Sequence, residues 1–469
     1  MNSQKILNGC DVVMRFSFYA LIYFLPISIA LVEASASFAL LAFFVKRGFL
    51  FGQAWKNHGV QSPGQGGRLF LQIFKPVPSS LNLPLGIFIL VNLVSVICSQ
   101  HYVLSLQGFF FKLLQGVYVY FTFIEAFVTK KHLKIFLKVF FVSAAVICVN
   151  GIVQYFTGKD FIFGQELMDG RVRSSLRHPN DFGSYLLVVA PMTMAFLLLA
   201  FLPQGVWGNS RARQQGNEEK LTGAFKLGVV LLFVAILICL GLTYSRGAWV
   251  GFLLSLIFWS FIERKYIPIF ILIMVLFWQV FLPQMELTRK VSFITDDTPK
   301  QERFIEEANI REDDGFLVYW QKKFAVLSHF QGMGRKIFWG EAMQIFEYNP
   351  IFGSGLNTYS KISSVLYMKG GGYPHNCYLQ MAAEIGLVGL LSFLWIIYVV
   401  CREVIRTIKK NSATFFRAFL VGLFIGLVAF LIHSFFDTNL YSVQLANFFW
   451  LILGVIMAVQ KIVQEDSRA

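Results

Sequence analysis

A histidine and two arginines at the borders of apolar segments are the residues of this sequence best suited to chemistry. His375, followed by Asn376, stands directly before a long apolar run, and a histidine side chain can accept a proton as a general base. Arg246 separates two apolar stretches within Leu242–Trp249, and a charge at such a break is costly unless it is solvated or paired. Arg335 begins a segment with apolar residues at helical spacing. These positions are the first candidates for a functional site.

Each of these residues also has an interpretation that involves no chemistry. His375 could be an amphipathic anchor at a membrane surface, with Asn376 as the N-cap of the helix that follows. Arg246 could reach lipid head groups. Arg335 could be a solvated charge at the start of a helix.

Two further motifs have the same ambiguity. Arg177-His-Pro-Asn180 precedes an apolar run, where Asn180 or the residue after it could cap a helix. After Asn376 come nine residues and then Gly386 and Gly389. These glycines could simply let two helices pack closely.

The elements that must position these residues are apolar helices long enough to cross a membrane. Hydrophobic residues make up 56% of the chain and charged residues 14%, against about 25% charged residues in a typical soluble domain. The stretch Leu227–Ile262 has a single charge, Arg246, and apolar runs of about 20 residues are typical of membrane spans. No basic-then-apolar leader with a small-residue cleavage site opens the sequence, so we expect no removable signal peptide. The sequence predicts an all-α polytopic membrane protein.

We expect about twelve transmembrane helices. They are predicted at 16–32, 34–45, 81–98, 108–128, 135–156, 180–202, 227–244, 247–262, 267–283, 376–400, 415–436 and 443–460. A single helix from 227 to 262 would be about 54 Å long at 1.5 Å per residue, whereas the hydrocarbon core is about 30 Å thick. Two helices that turn at Ser245-Arg246-Gly247 fit the bilayer better.

Five clusters of basic residues assign the sides of the membrane. With twelve spans, the clusters within 46–80, 130–134, 211–226, 264–265 and 402–417 fall on one side together with both termini. Because short cytoplasmic loops carry an excess of Lys and Arg, this side is predicted to be the cytoplasm. The net charge of +15 is therefore interpreted as membrane orientation, and we expect membrane lipids and no nucleic acid as partners.

The opposite side receives 157–179, the turn at Arg246 and the long polar segment 284–375. The chain is thus predicted to consist of helices one to nine at 1–283, a large external loop at 284–375 that carries part of the active site, and helices ten to twelve at 376–469. The apolar residues of Arg335–Tyr348 have a helix-like spacing, which favours a helix that lies on the bilayer or on the bundle. Since binding and catalytic residues concentrate in loops on a rigid scaffold, we expect the loop 284–375 to carry functional residues.

Four segments of the sequence resemble the O-antigen ligase and polymerase superfamily. They are Arg177-His-Pro-Asn180, Thr243-Tyr-Ser-Arg-Gly-Ala-Trp249, the run from Arg335 through Pro350-Ile-Phe-Gly-Ser-Gly355, and His375-Asn376. The last is similar to the ligase pattern of His, then Asn, Ser or Gln, nine residues, Gly, two residues, then Gly, Thr or Tyr. His433-Ser-Phe-Phe-Asp437 also resembles the family's final external turn. The N-terminal third shares only the topology.

The resemblance implies a membrane glycosyltransferase with a GT-C-like fold that needs no metal ion and no cofactor. Such enzymes move a glycan from undecaprenyl diphosphate to an acceptor at the periplasmic face of the bacterial inner membrane, and the ligases use lipid A–core as acceptor. His375 would act on the acceptor hydroxyl, while Arg246 and Arg335 would hold the diphosphate. Two arginines can supply the positive charge that a departing diphosphate needs. The other residues expected to bind substrate are Arg177, Asn180, Asn376 and Asp437.

Two kinds of alternative stay open. Glycan polymerases and transferases that attach glycans to proteins share these motifs, and the sequence does not name the acceptor. A lipid or polysaccharide transporter is the alternative outside enzymes. A transporter should show inverted repeats and broken helices near the midplane, and the sequence shows neither. Glu384 is a carboxylate in the middle of a predicted span. It could lie on an ion path, or it could make a buried hydrogen bond between packed helices.

Overall fold

The protein is built from helices. The computed structural model describes residues 2–58, 63–201, 222–267, 269–275, 337–367, 372–410 and 414–466. Regular structure within these ranges is helical, apart from two isolated bridges in the 157–179 segment. The helices α1 to α15 are Asn2–Phe24, Ile29–His58, Pro63–Phe74, Asn82–Cys98, Tyr102–Gly108, Gln115–Ala126, Lys130–Thr157, Pro179–Phe201, Gly223–Leu242, Arg246–Ile262, 337–348, Tyr359–Tyr367, Cys377–Lys410, Thr414–His433 and Val443–Asp466. The predicted all-α class is confirmed.

Eight helical spans within the described residues are long and apolar enough to cross a bilayer. They are Ile29–Asn57, Tyr102–Ala126, Lys130–Thr157, Pro179–Phe201, Gly223–Leu242, Cys377–Lys409, Phe415–His433 and Val443–Val463. Helices α4 and α10 are apolar but shorter, with 17 residues each. The ninth predicted span, 267–283, is described only to residue 275. These spans confirm a polytopic membrane protein.

The first two predicted spans have a wrong boundary. The chain turns between Phe24 and Ile29, where the Phe24 carbonyl accepts hydrogen bonds from the amides of Ile27 and Ser28 at 2.9 Å each. Pro26 lies in this turn, and proline cannot continue a helix ladder. Glu33, the polar residue at the predicted break, instead lies inside α2 and accepts a 2.6 Å hydrogen bond from Gln115. A satisfied carboxylate therefore does not interrupt the helix.

The predicted turn between the seventh and eighth spans is confirmed. Helix α9 ends at Leu242 and α10 begins at Arg246. The Ser245 hydroxyl accepts a hydrogen bond from the Ala248 amide and so caps α10. Tyr244 has a positive φ of 47°, which completes the reversal. Arg246 consequently stands at the first position of a helix rather than inside an apolar one.

Alternating helices bring the candidate residues to one end of the bundle. The Val172 amide donates to the Leu242 carbonyl at 3.0 Å, and the Cys377 amide donates to the Ser434 carbonyl at 2.8 Å. The first contact joins the 157–179 segment to the α9–α10 turn, and the second joins the start of α13 to the end of α14. We call this end of the molecule the His375 end.

Ion pairs mark the opposite end. Lys46 and Arg47 of α2 both pair with Glu125 near the end of α6, at 2.9 and 2.5 Å. Arg417 of α14 pairs with Glu263, which follows α10, at 2.8 Å. Basic residues from the predicted cytoplasmic clusters therefore lie at the end opposite to His375, as the alternation of spans requires.

Helix α13 is broken where the sequence predicts a continuous span. Gly386 has φ 68° and ψ −175°, so two helices meet at a kink. The segment 349–358 enters this break: the Ser354 and Gly355 amides donate to the Ala383 and Glu384 carbonyls at 3.0 and 2.8 Å, and the Leu387 amide donates to the Pro350 carbonyl at 2.8 Å. The backbone groups that the kink leaves unpaired are thereby satisfied, which is the condition for irregular backbone at membrane depth.

Candidate active site

The centre of the site is a histidine–aspartate pair. His375 Nδ1 lies 3.2 Å from Asp437 Oδ1. The histidine side chain is about half exposed, at 47%, whereas that of Asp437 is 12% exposed. A carboxylate on one ring nitrogen fixes the orientation of the imidazole and leaves Nε2 for other partners. The pair joins residues 62 positions apart in the sequence. A buried carboxylate is thus in contact with an accessible imidazole.

Local backbone structure holds His375 in place. Its φ is +48°, a left-handed conformation that non-glycine residues adopt mainly where surrounding contacts impose it. The Asn376 side chain accepts hydrogen bonds from the amides of Tyr378 and Leu379 at 3.0 and 3.1 Å, so it is the N-cap of α13. Cys377 is anchored to the α14 end through the Ser434 carbonyl. Asn376, expected to bind substrate, therefore has a structural role.

Asp437 is held in its charged form. Burial raises the pKa of this carboxyl, but the hydrogen bond with His375 and the charges of His433 and His375 lower it, and the pKa ends well below its usual range. The Thr438 amide also donates to Asp437 Oδ1, at 2.8 Å. An ionised carboxylate in a buried position can stabilise a positive charge that develops on the neighbouring imidazole.

Arg246 lies beside the turn that carries Asp437. A Cβ atom at Gly247 would come within 2.7 Å of Phe436 Cβ and 3.1 Å of His433 Cδ2, so only glycine permits this close approach of α10 to the end of α14. His433 Nδ1 is in turn hydrogen-bonded to the Ser184 hydroxyl at 2.8 Å. The predicted convergence of Arg246 and His375 thus has a basis in packing, because both adjoin the 433–437 turn.

Arg171, in the 157–179 segment, is a site residue that sequence reasoning missed. Its Nε donates to the Thr243 carbonyl at 2.8 Å, and its Nη2 donates to Asn180 Oδ1 at 2.7 Å. Burial lowers the pKa of this guanidinium, while Asp169 and Asp437 oppose that shift. Arg171 therefore ties the 157–179 segment to the α9–α10 turn and to the start of α8. Asn180, expected to bind substrate, supplies the acceptor for this bond.

His178 is a second titratable group that sequence reasoning missed. Burial and the charge of Arg171 lower its pKa, and the charge of His375 adds to this effect, while Asp437 opposes it. Its Nδ1 accepts a hydrogen bond from the Asn180 amide at 3.1 Å. The charges of His375 and Asp437 thus act on His178, which places this residue of the 157–179 segment near the His375–Asp437 pair. The HPN motif was the signal in the sequence that could have identified His178.

Of the two remaining candidate arginines, Arg177 and Arg335, only Arg177 lies among the described residues. The Arg177 side chain is exposed next to His178, and its carbonyl accepts a hydrogen bond from Arg173 at 3.2 Å. Arg335 lies outside the described residues. The helix that begins two residues later, α11, packs against His375: the Phe338 ring lies edge-on with its centroid 6.4 Å from that of His375, and Trp339 Nε1 donates to the Pro374 carbonyl at 2.9 Å.

The candidate site combines an accessible imidazole with nearby arginines. Among the residues that the structure describes, no group of three or more His, Cys, Asp or Glu side chains is placed to hold a metal ion. Arg171, Arg177 and Arg246 supply positive charge near the His375–Asp437 pair. The arrangement can orient an imidazole, stabilise it when it is protonated, and offer guanidinium groups to an anion.

Comparison with known proteins supports the resemblance seen in the sequence. Residues 231–394 match a protein family described as O-antigen ligase. This region includes Arg246, Arg335, His375 and the α13 kink at Gly386. No match was found among curated proteins. The chain is a polytopic membrane protein whose residues 231–394 are similar to the O-antigen ligase family.

Proposed function

We propose that this protein is an O-antigen ligase that transfers a glycan from undecaprenyl diphosphate to lipid A–core at the periplasmic face of the inner membrane. The observation that carries the proposal is the His375–Asp437 pair, at 3.2 Å, within a chain whose residues 231–394 match the O-antigen ligase family. The pair offers a base at the end of a membrane bundle. A lipid-linked donor can present its head group there while its chain stays in the bilayer.

His375 acts as the general base. The acceptor hydroxyl loses its proton to Nε2 of His375 while the acceptor oxygen forms a bond to the anomeric carbon of the glycan. The bond between that carbon and the diphosphate oxygen breaks, and the diphosphate leaves with the electron pair. Asp437 stabilises the imidazolium through Nδ1. We assign Asp437 to this positioning role rather than to the substrate contact that the resemblance implies.

Arginines receive the departing diphosphate, without a metal ion. Arg246 and Arg335 are the proposed ligands, and Arg177 is a third, since its side chain is exposed beside His178. Positive charge that is fixed before the reaction stabilises the charge that develops on the leaving group. Arg171 and Asn180 hold the α9–α10 turn, which contains Arg246, in place.

The transporter alternative meets one of its expected features, the break of α13 at Gly386, but Glu384 does not behave as a residue of an ion path. Its carboxylate accepts hydrogen bonds from the amides of Asn357 and Tyr359 at 2.9 and 3.1 Å, and from Gln380 at 3.2 Å. These bonds pin the 349–358 segment to α13. They favour the helix-packing interpretation of Glu384 over an ion path.

The decisive test is a transfer assay with purified protein and glycan-loaded undecaprenyl diphosphate. Lipid A–core, a second lipid-linked glycan and pilin serve as alternative acceptors. We expect product with lipid A–core, unaffected by EDTA, and a loss of about 10²–10⁴-fold in rate for His375→Ala with donor binding retained. Arg246→Lys should also fail, because lysine keeps the charge but loses the bidentate fork.

Other outcomes have distinct meanings. Product only with the second lipid-linked glycan would identify a polymerase, and product only with pilin a protein transferase. A loss of activity in EDTA that Mg²⁺ restores would contradict the role given to the arginines. Near-normal transfer by His375→Ala would return this residue to the anchor interpretation.

A further inference from the structure

A pocket is lined in part by Leu440 and Tyr441, which follow the turn that carries Asp437. Its internal volume is about 100 Å³, below the roughly 300–1,000 Å³ typical of sites that enclose a whole small molecule, so it can hold only part of a lipid. Its walls come from α4, the π-helix Phe109–Leu114, α13 and α15, and they are mostly aromatic and aliphatic. The buried wall includes Phe88, Phe393, Phe449 and Trp450.

The mouth of the pocket carries a lysine. Lys112 lies in the π-helix within the membrane-spanning segment Tyr102–Ala126, and π-helices occur often at functional sites. Its Nζ donates to Asn357 Oδ1 at 2.6 Å. An ammonium group has three N–H donors, and a cation on a membrane-spanning helix marks a functional site by default. The contact with Asn357 draws the charge toward the His375 end.

Exposed apolar side chains belong to the lining of the pocket. Phe111, next to Lys112, is 73% exposed, and Val443 is 37% exposed. On a membrane-spanning helix we expect such surfaces to face lipid. The pocket thus joins a lipid-exposed entrance, a cation at the rim and a buried apolar wall, which together match the shape and polarity of an anionic amphiphile.

The charge balance decides which amphiphile fits. One ammonium is the cation at this rim among the described lining residues, and the buried carboxylate of Glu384 acts on it electrostatically. A diphosphate needs more positive charge than this, whereas a single phosphodiester needs only one partner. We propose that this pocket binds an anionic glycerophospholipid of the bilayer, with the phosphate on Lys112 and one acyl chain along Phe88, Phe393 and Trp450.

The site is independent of glycan transfer, so its test measures lipid binding directly. Purified protein in neutral detergent is titrated with phosphatidylglycerol or phosphatidylcholine, and bound lipid is counted by native mass spectrometry. We expect selective retention of phosphatidylglycerol and a loss of about tenfold in affinity for Lys112→Met. Lys138→Met is the matched control, because Lys138 is an exposed lysine on a different spanning helix, α7, and it should bind like the parent chain.

Two further variants keep the proposal testable if Lys112→Met does not fold. Lys112→Arg should retain phosphatidylglycerol, and Ala446→Phe should exclude it by filling the pocket while the charge remains. Equal retention by parent and Lys112→Met, or equal binding of phosphatidylcholine, would overturn the proposal. Displacement of phosphatidylglycerol by an equal concentration of polyprenyl phosphate would reassign the pocket to a polyprenyl carrier. None of these outcomes depends on whether the chain is a ligase.

Discussion

At the scale of single residues, the contact between His375 and Asp437 depends on the packing of α13 against the end of α14. His375 and Asn376 are adjacent to an obvious apolar run, so their position at a helix start could be predicted. Asp437 is 62 residues away from His375, and only the packing of α13 against α14 brings the two together. Arg171 gave no local signal either, because its hydrogen-bond acceptors come from another loop and another helix.

The positioning role of Asp437 predicts a defect in the chemical step. Asp437→Asn keeps the size of the side chain but removes the negative charge that stabilises a protonated His375. We expect kcat to fall by about 10²-fold or more with KM for the lipid-linked donor unchanged. Asp437→Glu should recover part of the rate. A proportional rise in KM with kcat intact would instead indicate the substrate contact implied by the family resemblance.

The depressed pKa of Asp437 also predicts a pH dependence of stability. A carboxyl whose folded pKa lies below its unfolded value of about 3.9 stabilises the fold above that value, and the contribution is lost as the pH falls toward the folded pKa. Between about pH 5 and about pH 3 the difference in Tm between the parent chain and Asp437→Asn should therefore shrink. Thermal melts in detergent across this range measure it, and a difference that grows on acidification would contradict the assignment.

At the scale of elements, apolar periodicity located most helices but missed two breaks. The α9–α10 turn was predictable because a single helix there would exceed the bilayer thickness. The α1–α2 turn was misplaced because Glu33 looked like a break, although Gln115 satisfies it. The kink of α13 was missed because its apolar pattern continues through Gly386. Its cause, the 349–358 segment, is distant in the sequence.

The kink makes Gly386 the least replaceable glycine of α13. A Cβ there would lie 2.2 Å from the Ile351 carbonyl oxygen, and the φ of +68° disfavours any other residue. Gly386→Ala should destabilise the protein by at least about 1–3 kcal/mol and lower its Tm. Gly86→Ala, in helix α4 with nothing within 4 Å of the added atom, is the control and should leave Tm unchanged or slightly higher. Similar Tm values for both variants would argue against the docked 349–358 segment.

At the scale of the whole molecule, the alternation of spans and basic clusters predicted the arrangement of the two ends. His375, Arg246 and the 157–179 segment share one end, and the ion pairs of Lys46 and Arg417 lie at the other. Which end faces the cytoplasm rests on the positive-inside rule. The sequence could predict this arrangement because charge distribution is a local property of each loop. The pocket that Leu440 and Tyr441 line could not be predicted, because its walls come from elements that are far apart in the sequence.

Sidedness can be tested with two exposed positions. Phe163 lies in the 157–179 segment and is 53% exposed, and Lys131 lies exposed at the start of α7. In intact spheroplasts, Phe163→Cys should react with a membrane-impermeant maleimide, and Lys131→Cys should react only after permeabilisation. The parent chain corrects for its own cysteines, among them the exposed Cys98. Labelling of both positions in intact cells would refute the alternating arrangement.

The docking of 349–358 into α13 constrains the order in which the chain can be assembled during synthesis. The Ser354 and Gly355 amides find their acceptors at Ala383 and Glu384, which the ribosome adds only after the docking segment has already been made. Until α13 has been inserted, the Ser354 and Gly355 amides lack these acceptors, and the stretch cannot dock into the break of α13. Nascent chains that stop before residue 384 would consequently expose it to proteases. Completion of the candidate site is thus a late event in biogenesis, coupled to insertion of the helix that follows His375.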